Sequence, residues 1–421
     1  MSGPQTVSIS GVIQDMLNMG FDTSHCMSEM IDNSIGVGAN NIRIYLLKDT
    51  CELILVDDGP GMNDDDLVKS YILYNRKEAS DKKQGRFGIG DKVAKVYFTQ
   101  HNNVTTTLSK MAKGNLYQIK VDWKKAVSTN QLTLASSEAS SENEKMWDNY
   151  KIKEYGTLNK ISVHKPIFDD MIAKLAVLVR FFEIMYSCDL NEGRKIEFYN
   201  GEYLHSLKPY NLISTEPKQN EQYSSRFIEI WQHSNSHFRI YYLNGLNKMV
   251  FQEMTKQNTE YPPKDESYKK IGRVLIESSL NYAGSTSWSK EDGGYYIRRI
   301  NKIIQRFPID TPGQGDFGLQ TCISTARHRI TFYSALDDMF GLEINKSHIK
   351  KDNIHPLLWS RIYEMTREFS NKVYNGWKKN KDVAKKSDDK KSDDKKQDDK
   401  KQDDKKQDDK KQDDKKQDDK K

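Results

Sequence analysis

Glu29 and Asn33 stand four residues apart in Glu29-Met-Ile-Asp-Asn33; Asp57-Asp58-Gly59-Pro60-Gly61 follows, and then Gly85-Arg86-Phe87-Gly88-Ile89-Gly90. Residues four apart on a helix share a face. Mg2+ takes few protein oxygens and often sits beside substrate phosphates, and Asn33 can supply one such oxygen. Glu29, one turn away, can polarise a water in line with a γ-phosphate as a general base. A fixed carboxylate at Asp57 can accept a hydrogen bond from an exocyclic amine, as adenine offers. Gly59 and Gly61 let the backbone approach a flat ring closely, and Met62 completes that set. Gly85, Gly88 and Gly90, with Arg86, Phe87 and Ile89 between them, precede a helical stretch from Asp91. Free N–H groups and the positive end of the helix dipole there suit a phosphate, with Lys92 and Lys95 adding charge. The spacing G-x-x-G-x-G is neither the dinucleotide fingerprint nor the P-loop. Each piece alone also has a plainer reading: an amphipathic helix with a polar face, or a strand-ending turn.

The elements that must position these groups are legible around them. Ser24 or Thr23 can cap a helix over 26–35. Residues 41–47 and 51–56 read as strands paired in a hairpin around Lys48-Asp49-Thr50, the second delivering Asp57 at its end. Gly156-Thr157 opens a further strand to 163, a buried helix is expected over about 168–187, and 194–199 with Asn200-Gly201 reads as strand and turn. Strands are expected near 227–232 and 237–243, with Asn244-Gly245 as a turn, and helices over 295–307 and 356–379. Residues 136–155 are polar and read as a surface insertion.

Taken in order, these blocks resemble the GHKL superfamily, which includes gyrase, heat-shock chaperones, histidine kinases and MutL. Residues 29–33 match the N-box, 57–61 the adenine motif, 85–90 the phosphate-lid motif, and Gly156-Thr157 the Gly-Thr element, so the resemblance spans roughly 8–190. It implies an α/β class with a Bergerat-type α/β sandwich that binds ATP with Mg2+. Glu29 would be the catalytic base, Asn33 the metal ligand, and Asp57 the adenine partner with Thr157 nearby. Many relatives carry Asp three residues after the N-box Asn, where this chain has Gly36. The stretch 28–44 is similar to the MutL form and 85–92 to the MORC pattern, while 330–350 resembles the end of a transducer domain in MORC-type ATPases. Such a transducer sends a lysine into the nucleotide site. Lys346 is the candidate and Lys350 and Lys351 compete with it; the plainer reading, that all three are surface lysines, outweighs any single one.

The domain expectations are an ATP-binding domain over 1–165, a smaller α+β transducer-like domain over 166–380, and a disordered tail over 381–421. In that tail a Ser/Gln-Asp-Asp-Lys-Lys pentad repeats from Ser387 to Lys421. It has no apolar residue to bury, and each pentad is neutral, so the net +6 of the 421-residue chain belongs to the body. The 4 cysteines, at 26, 51, 188 and 322, lie far apart and read as reduced thiols of a soluble intracellular protein. No signal peptide is expected, and no apolar run approaches the ~18 residues that span a bilayer, so no membrane partner is expected. Arg298, Arg299, Lys302 and Arg306, on the expected helix, could track phosphates of DNA or form a solvated face. The function classes are an ATP-gated homodimer clamp on nucleic acid, a chaperone-like ATPase with a protein client, or a nucleotide-binding regulator with negligible turnover. No phospho-acceptor helix is seen ahead of the block, which disfavours a histidine kinase.

Overall fold

The computed structural model describes residues 8–72, 89–210, 212–213, 221–233, 238–243, 249–253, 256–258, 261–281, 292–309, 326–342, 349–373, 375–376 and 379. Gly85, Arg86, Phe87, Gly88, Lys346, the turn at Asn244-Gly245 and the repeat tail lie outside them. The chain opens with α1 (Ile9–Leu17) and α2 (Thr23–Gly36), then β1 (Asn41–Leu47), β2 (Glu52–Asp57), α3 (Asp64–Tyr71), α4 (Gly90–Thr99), β3 (Val104–Lys110), β4 (Leu116–Asp122), α5 (Trp123–Thr129), β5 (Ser136–Glu138), α6 (Ser141–Tyr150) and β6 (Gly156–Ser162). Three short helices follow, α7 (Lys165–Ala173), α8 (Leu175–Met185) and α9 (Ser187–Asn191), leading to β7 (Lys195–Asn200) and β8 (Tyr203–Ser206). The strands form one sheet in the order β5-β4-β3-β6-β2-β1-β7-β8.

Local chemistry explains the parts that matter for the site. Asp22, in extended backbone, caps α2 by accepting from the His25 N–H, one residue earlier than the expected cap. In β1 alternate side chains are buried, Ile42, Ile44 and Leu46 facing the main core, the period-two pattern of a strand with one apolar face. β2 is buried along nearly its whole length, because it is covered on both sides. Leu53 and Leu55 join the main core under α1, α2, α4 and α8, while Ile54 and Val56 pack with Leu108, Leu158 and Trp147 of α6. The polar segment 136–155 is therefore no loose insertion: one buried tryptophan makes it the lid on the sheet's second face. The β1–β2 hairpin forms in the expected place, with Ile42 opposite Asp57 and Leu47 opposite Glu52.

The boundary expected at 165 falls inside this unit. β7 pairs parallel to β1 and Leu207 still belongs to the main core. The helix expected over 168–187 is broken at Lys174 and Tyr186 into three.

The second unit is α+β, as expected. Its sheet runs β12-β11-β10-β9-β13-β16-β14-β15, built from β9 (Glu221–His233), β10 (Phe238–Leu243), β11 (Met249–Glu253), β12 (Lys256–Asn258), β13 (Tyr268–Asn281), β14 (Gly294–Arg299), β15 (Lys302–Phe307) and β16 (Arg327–Phe332). A helix over 356–373, α10, covers one face with Leu358, Ile362 and Met365. The helix expected over 295–307 is instead the β14–β15 hairpin, Arg299 opposite Lys302. The basic stripe does not exist. Arg299 is buried on Asp337 at 2.7 Å and Lys302 bonds Asp32 at 2.5 Å; Arg298 reaches Cys188 Sγ, and Arg306 donates to the Gly293 carbonyl. Among the described residues no helix is long and apolar enough to cross a membrane.

Candidate nucleotide site

Three chain segments converge at one end of the first sheet. α2 carries Glu29 and Asn33 on the same face; Asn33 is exposed and Glu29 half-buried. α4 begins at Gly90, and no side chain caps its start at Ile89. A Cβ on Gly90 would stand 1.8 Å from Glu29 Oε2. The carboxylate thus occupies the space directly over the first turn of α4, and only glycine leaves room for it. The candidate base and the candidate phosphate-binding helix start, separated by sixty residues of sequence order, are neighbours in space.

The second corner is built around Asp57, at the end of β2. Its partner across the sheet is Thr157, the second residue of β6, and Ser109 of β3 is in turn opposite Thr157. Ser34 Oγ donates to Asp57 Oδ2 at 2.8 Å and the Gly59 N–H to Oδ1 at 2.9 Å. Burial pushes the Asp57 carboxyl up to about 6, against the hydrogen bonds from Ser34, Gly59 and Thr157 that favour its ionised form. Four lone-pair sites leave a carboxylate capacity for a further donor after three are satisfied. The Ser109 hydroxyl accepts from the Met62 N–H at 2.8 Å and lies 3.1 Å from Thr157 Oγ1. Gly61 has φ +70°, and a Cβ there would meet the Lys110 carbonyl at 2.0 Å, so the turn after Asp57 tolerates no other residue.

Asp58, next in sequence, does something else. Its Oδ1 accepts from the Asn40 and Asn41 N–H groups, both at 2.8 Å, and its Oδ2 from Asn41 Nδ2 at 2.7 Å and Lys153 at 3.0 Å. These donors outweigh burial and hold its pKa at about 2. Asp58 locks the loop before β1 to the end of β2, leaving Asp57 as the acid available to a ligand.

Lys95 is not aimed at a phosphate. It is buried, paired with Asp91 at 2.8 Å, bonded to Thr107 at 3.3 Å, and 4.1 Å from the centre of the Tyr71 ring; Asp91 holds its pKa up against burial. Lys92, on the first turn of α4, is also buried, and burial lowers its pKa. Sequence reasoning missed Ser34 and Ser109. The signal for Ser109 was the run Val104-Thr-Thr-Thr-Leu-Ser, a strand whose buried positions are mostly hydroxyls.

Whether Mg2+ and a nucleotide suit these residues is a question of donor chemistry and space. Among the described residues no group of three or more His, Cys, Asp or Glu could hold a metal ion by itself. Asn33 and Glu29 instead offer hard oxygens beside a helix start, as an ion shared with phosphates and water requires. Glycine at 61 and 90 lets the Lys110 carbonyl and the Glu29 carboxylate pack directly against those positions. The residues fit.

Residues 22–157 match the family model described as "Histidine kinase-, DNA gyrase B-, and HSP90-like ATPase". No curated protein matches the sequence. Among solved structures, one titled "Crystal Structure of N terminal domain of a DNA repair protein" is similar with a TM-score of 0.50 and 12% identity, over 86% of this chain and 98% of that one. At that identity the likeness is one of fold. The segment that carries the site thus matches a GHKL-type ATPase domain model, within a chain of mixed α/β architecture.

Proposed function

We propose that the chain binds ATP with Mg2+ and hydrolyses it, using the nucleotide to gate a homodimeric clamp. The observation that carries this is the Glu29 carboxylate standing over the first turn of α4, where Gly90 alone makes room. A phosphate held by the free N–H groups of that turn would have a base beside it. Glu29 accepts a proton from water as the water attacks the terminal phosphorus, and the bond to the β-phosphate oxygen breaks. Asn33 is the ligand this chain offers Mg2+, which when bound neutralises phosphate charge. Asp57, with Gly59, Gly61, Met62 and Thr157 around it, orients the adenine by accepting from its amine. Ile89 and Lys92 border the phosphate end. Gly85, Arg86, Phe87 and Gly88 are assigned to the same loop by sequence.

Closure of that loop over ATP would bring two copies together, and hydrolysis would release them. DNA is the first client to test, because the similar structure is titled as part of a DNA repair protein. The residues once available to support it, Arg298, Arg299, Lys302 and Arg306, are engaged within the chain. A protein client, as for chaperones, and a regulator with negligible turnover are the competing readings. Phosphate release at steady state, with and without Mg2+ and with and without duplex DNA, separates them. Mg2+-dependent release is expected, stimulated by DNA if DNA is the client. No release above the blank in any condition would leave only the regulator.

A further inference from the structure

We infer that Lys302 is a positioning residue for hydrolysis, latching the second sheet to the helix that carries Glu29 and Asn33. This rests on the reading of those two residues given above. Lys302 Nζ, on β15, donates to Asp32 Oδ2 at 2.5 Å and to Ser28 Oγ at 3.1 Å. Ser28 and Asp32 are four apart on α2, one position before Glu29 and Asn33 respectively. One ammonium therefore grips two successive turns of the helix, on the ridge beside the candidate chemistry. The other Asp32 oxygen, Oδ1, lies 2.8 Å from the Tyr186 hydroxyl, which is also 3.1 Å from the Ser28 carbonyl. Tyr186 is fully buried. Both carboxylate oxygens of Asp32 are thus engaged by groups outside α2.

The hairpin that presents Lys302 is irregular at two points. A β-bulge between Ile297 and Arg298 shifts the register, and bulges re-aim the side chains that follow. Ile300, in the turn, has φ +58° while buried, a conformation that costs a β-branched residue and persists only when its surroundings impose it. Its N–H is held by the Phe332 carbonyl at 2.9 Å. The result is that Arg298 and Lys302 both reach into the first unit, Arg298 Nη1 lying 3.0 Å from Cys188 Sγ. Sequestering a lysine and an aspartate together is a poor way merely to glue two surfaces, since apolar residues serve as well. It is an effective way to make the attitude of one helix depend on the position of one hairpin.

The test uses the full chain with Lys302→Met, Lys302→Arg, Asp32→Asn and the Lys302→Met/Asp32→Asn double variant. It reads kcat, the Kd of a non-hydrolysable ATP analogue, and amide hydrogen exchange over residues 23–36. Lys302→Met should lower kcat on the order of tenfold, since small misplacement of catalytic groups is costly, while Kd moves less than about threefold and exchange in α2 quickens. Asp32→Asn should do the same, the double variant should be no worse than either single, and Lys302→Arg should recover most of the rate. An unchanged kcat in Lys302→Met, equal losses in kcat and binding, or additive losses in the double variant would overturn the inference. Should the parent chain hydrolyse no ATP, the hydrolytic reading fails separately. The exchange arm then still decides: faster exchange in Lys302→Met supports the latch, and unchanged exchange overturns it.

Discussion

Asp57 and Asp58 are adjacent in the chain and opposite in environment. Asp57 is buried with its pKa raised to about 6. Its folded form therefore holds a proton more tightly than the unfolded chain does. Its contribution to stability is fully present below about pH 4, falls as pH rises towards 6, and is level above, a change of about 3 kcal/mol. Asp58 has the reverse sign: its contribution is complete above about pH 4 and is lost as pH falls through about 2. Asp57→Asn should remove the first effect alone. Urea unfolding at pH 4 and pH 7 should find the variant gaining about 2 kcal/mol on the parent between the two. A pH-independent gap would mean that Asp57 does not titrate there. Gly90 gives the second expectation at this scale. A methyl at that position must displace the end of the Glu29 side chain, which is flexible, so Gly90→Ala should cost little stability. If Glu29 is the base, turnover should fall at least about tenfold. Parent-like turnover in a folded Gly90→Ala protein would argue that the carboxylate position is immaterial.

At the scale of elements, α6 shows what a polar sequence can conceal. Its helix is mostly solvent-facing, but Trp147 is buried and closes the second face of the sheet with Ile54, Val56, Leu108 and Leu158, with Met146 and Tyr150 packed beside it. Trp147→Ala should destabilise the chain by about 3–5 kcal/mol, read by denaturant unfolding; a loss under 1 kcal/mol would mean that α6 is not part of the core. The hairpin β1–β2, the helix α2 and the strand β6 were legible in sequence because period, turn residues and caps agree there. Short motifs put Glu29, Asn33, Asp57 and Thr157 on those same elements, and the structure sets Asp57 opposite Thr157 and Glu29 over the start of α4. The β14–β15 hairpin was not. Its turn is Ile300-Asn301, with no glycine at the positive-φ position, and Arg298, Lys302 and Arg306 fall at helical spacing by coincidence. The β-branched and aromatic run Tyr295-Tyr-Ile was the better signal. Nor could sequence reveal that β7 returns to the first sheet, because a parallel pairing made through three helices leaves no local mark.

At the scale of the molecule, Lys302 of the second sheet is bonded to Asp32 of α2, and on the latch proposed above the site on α2 and the second unit would report on each other. If ATP closes two copies, sedimentation of Glu29→Ala with ATP should find more dimer than without nucleotide. An unchanged monomer across concentrations and nucleotides would leave a regulator that acts alone. The hydrolytic reading depends on the chemistry at Glu29. The most direct measurement is therefore hydrolysis of labelled ATP·Mg by the parent and by Glu29→Gln, with binding measured on the same samples. The account requires the variant to bind ATP as the parent does and to cleave it at least ~100-fold more slowly, the scale for loss of a general base. Comparable cleavage by both proteins would remove Glu29 from the chemistry and contradict the account.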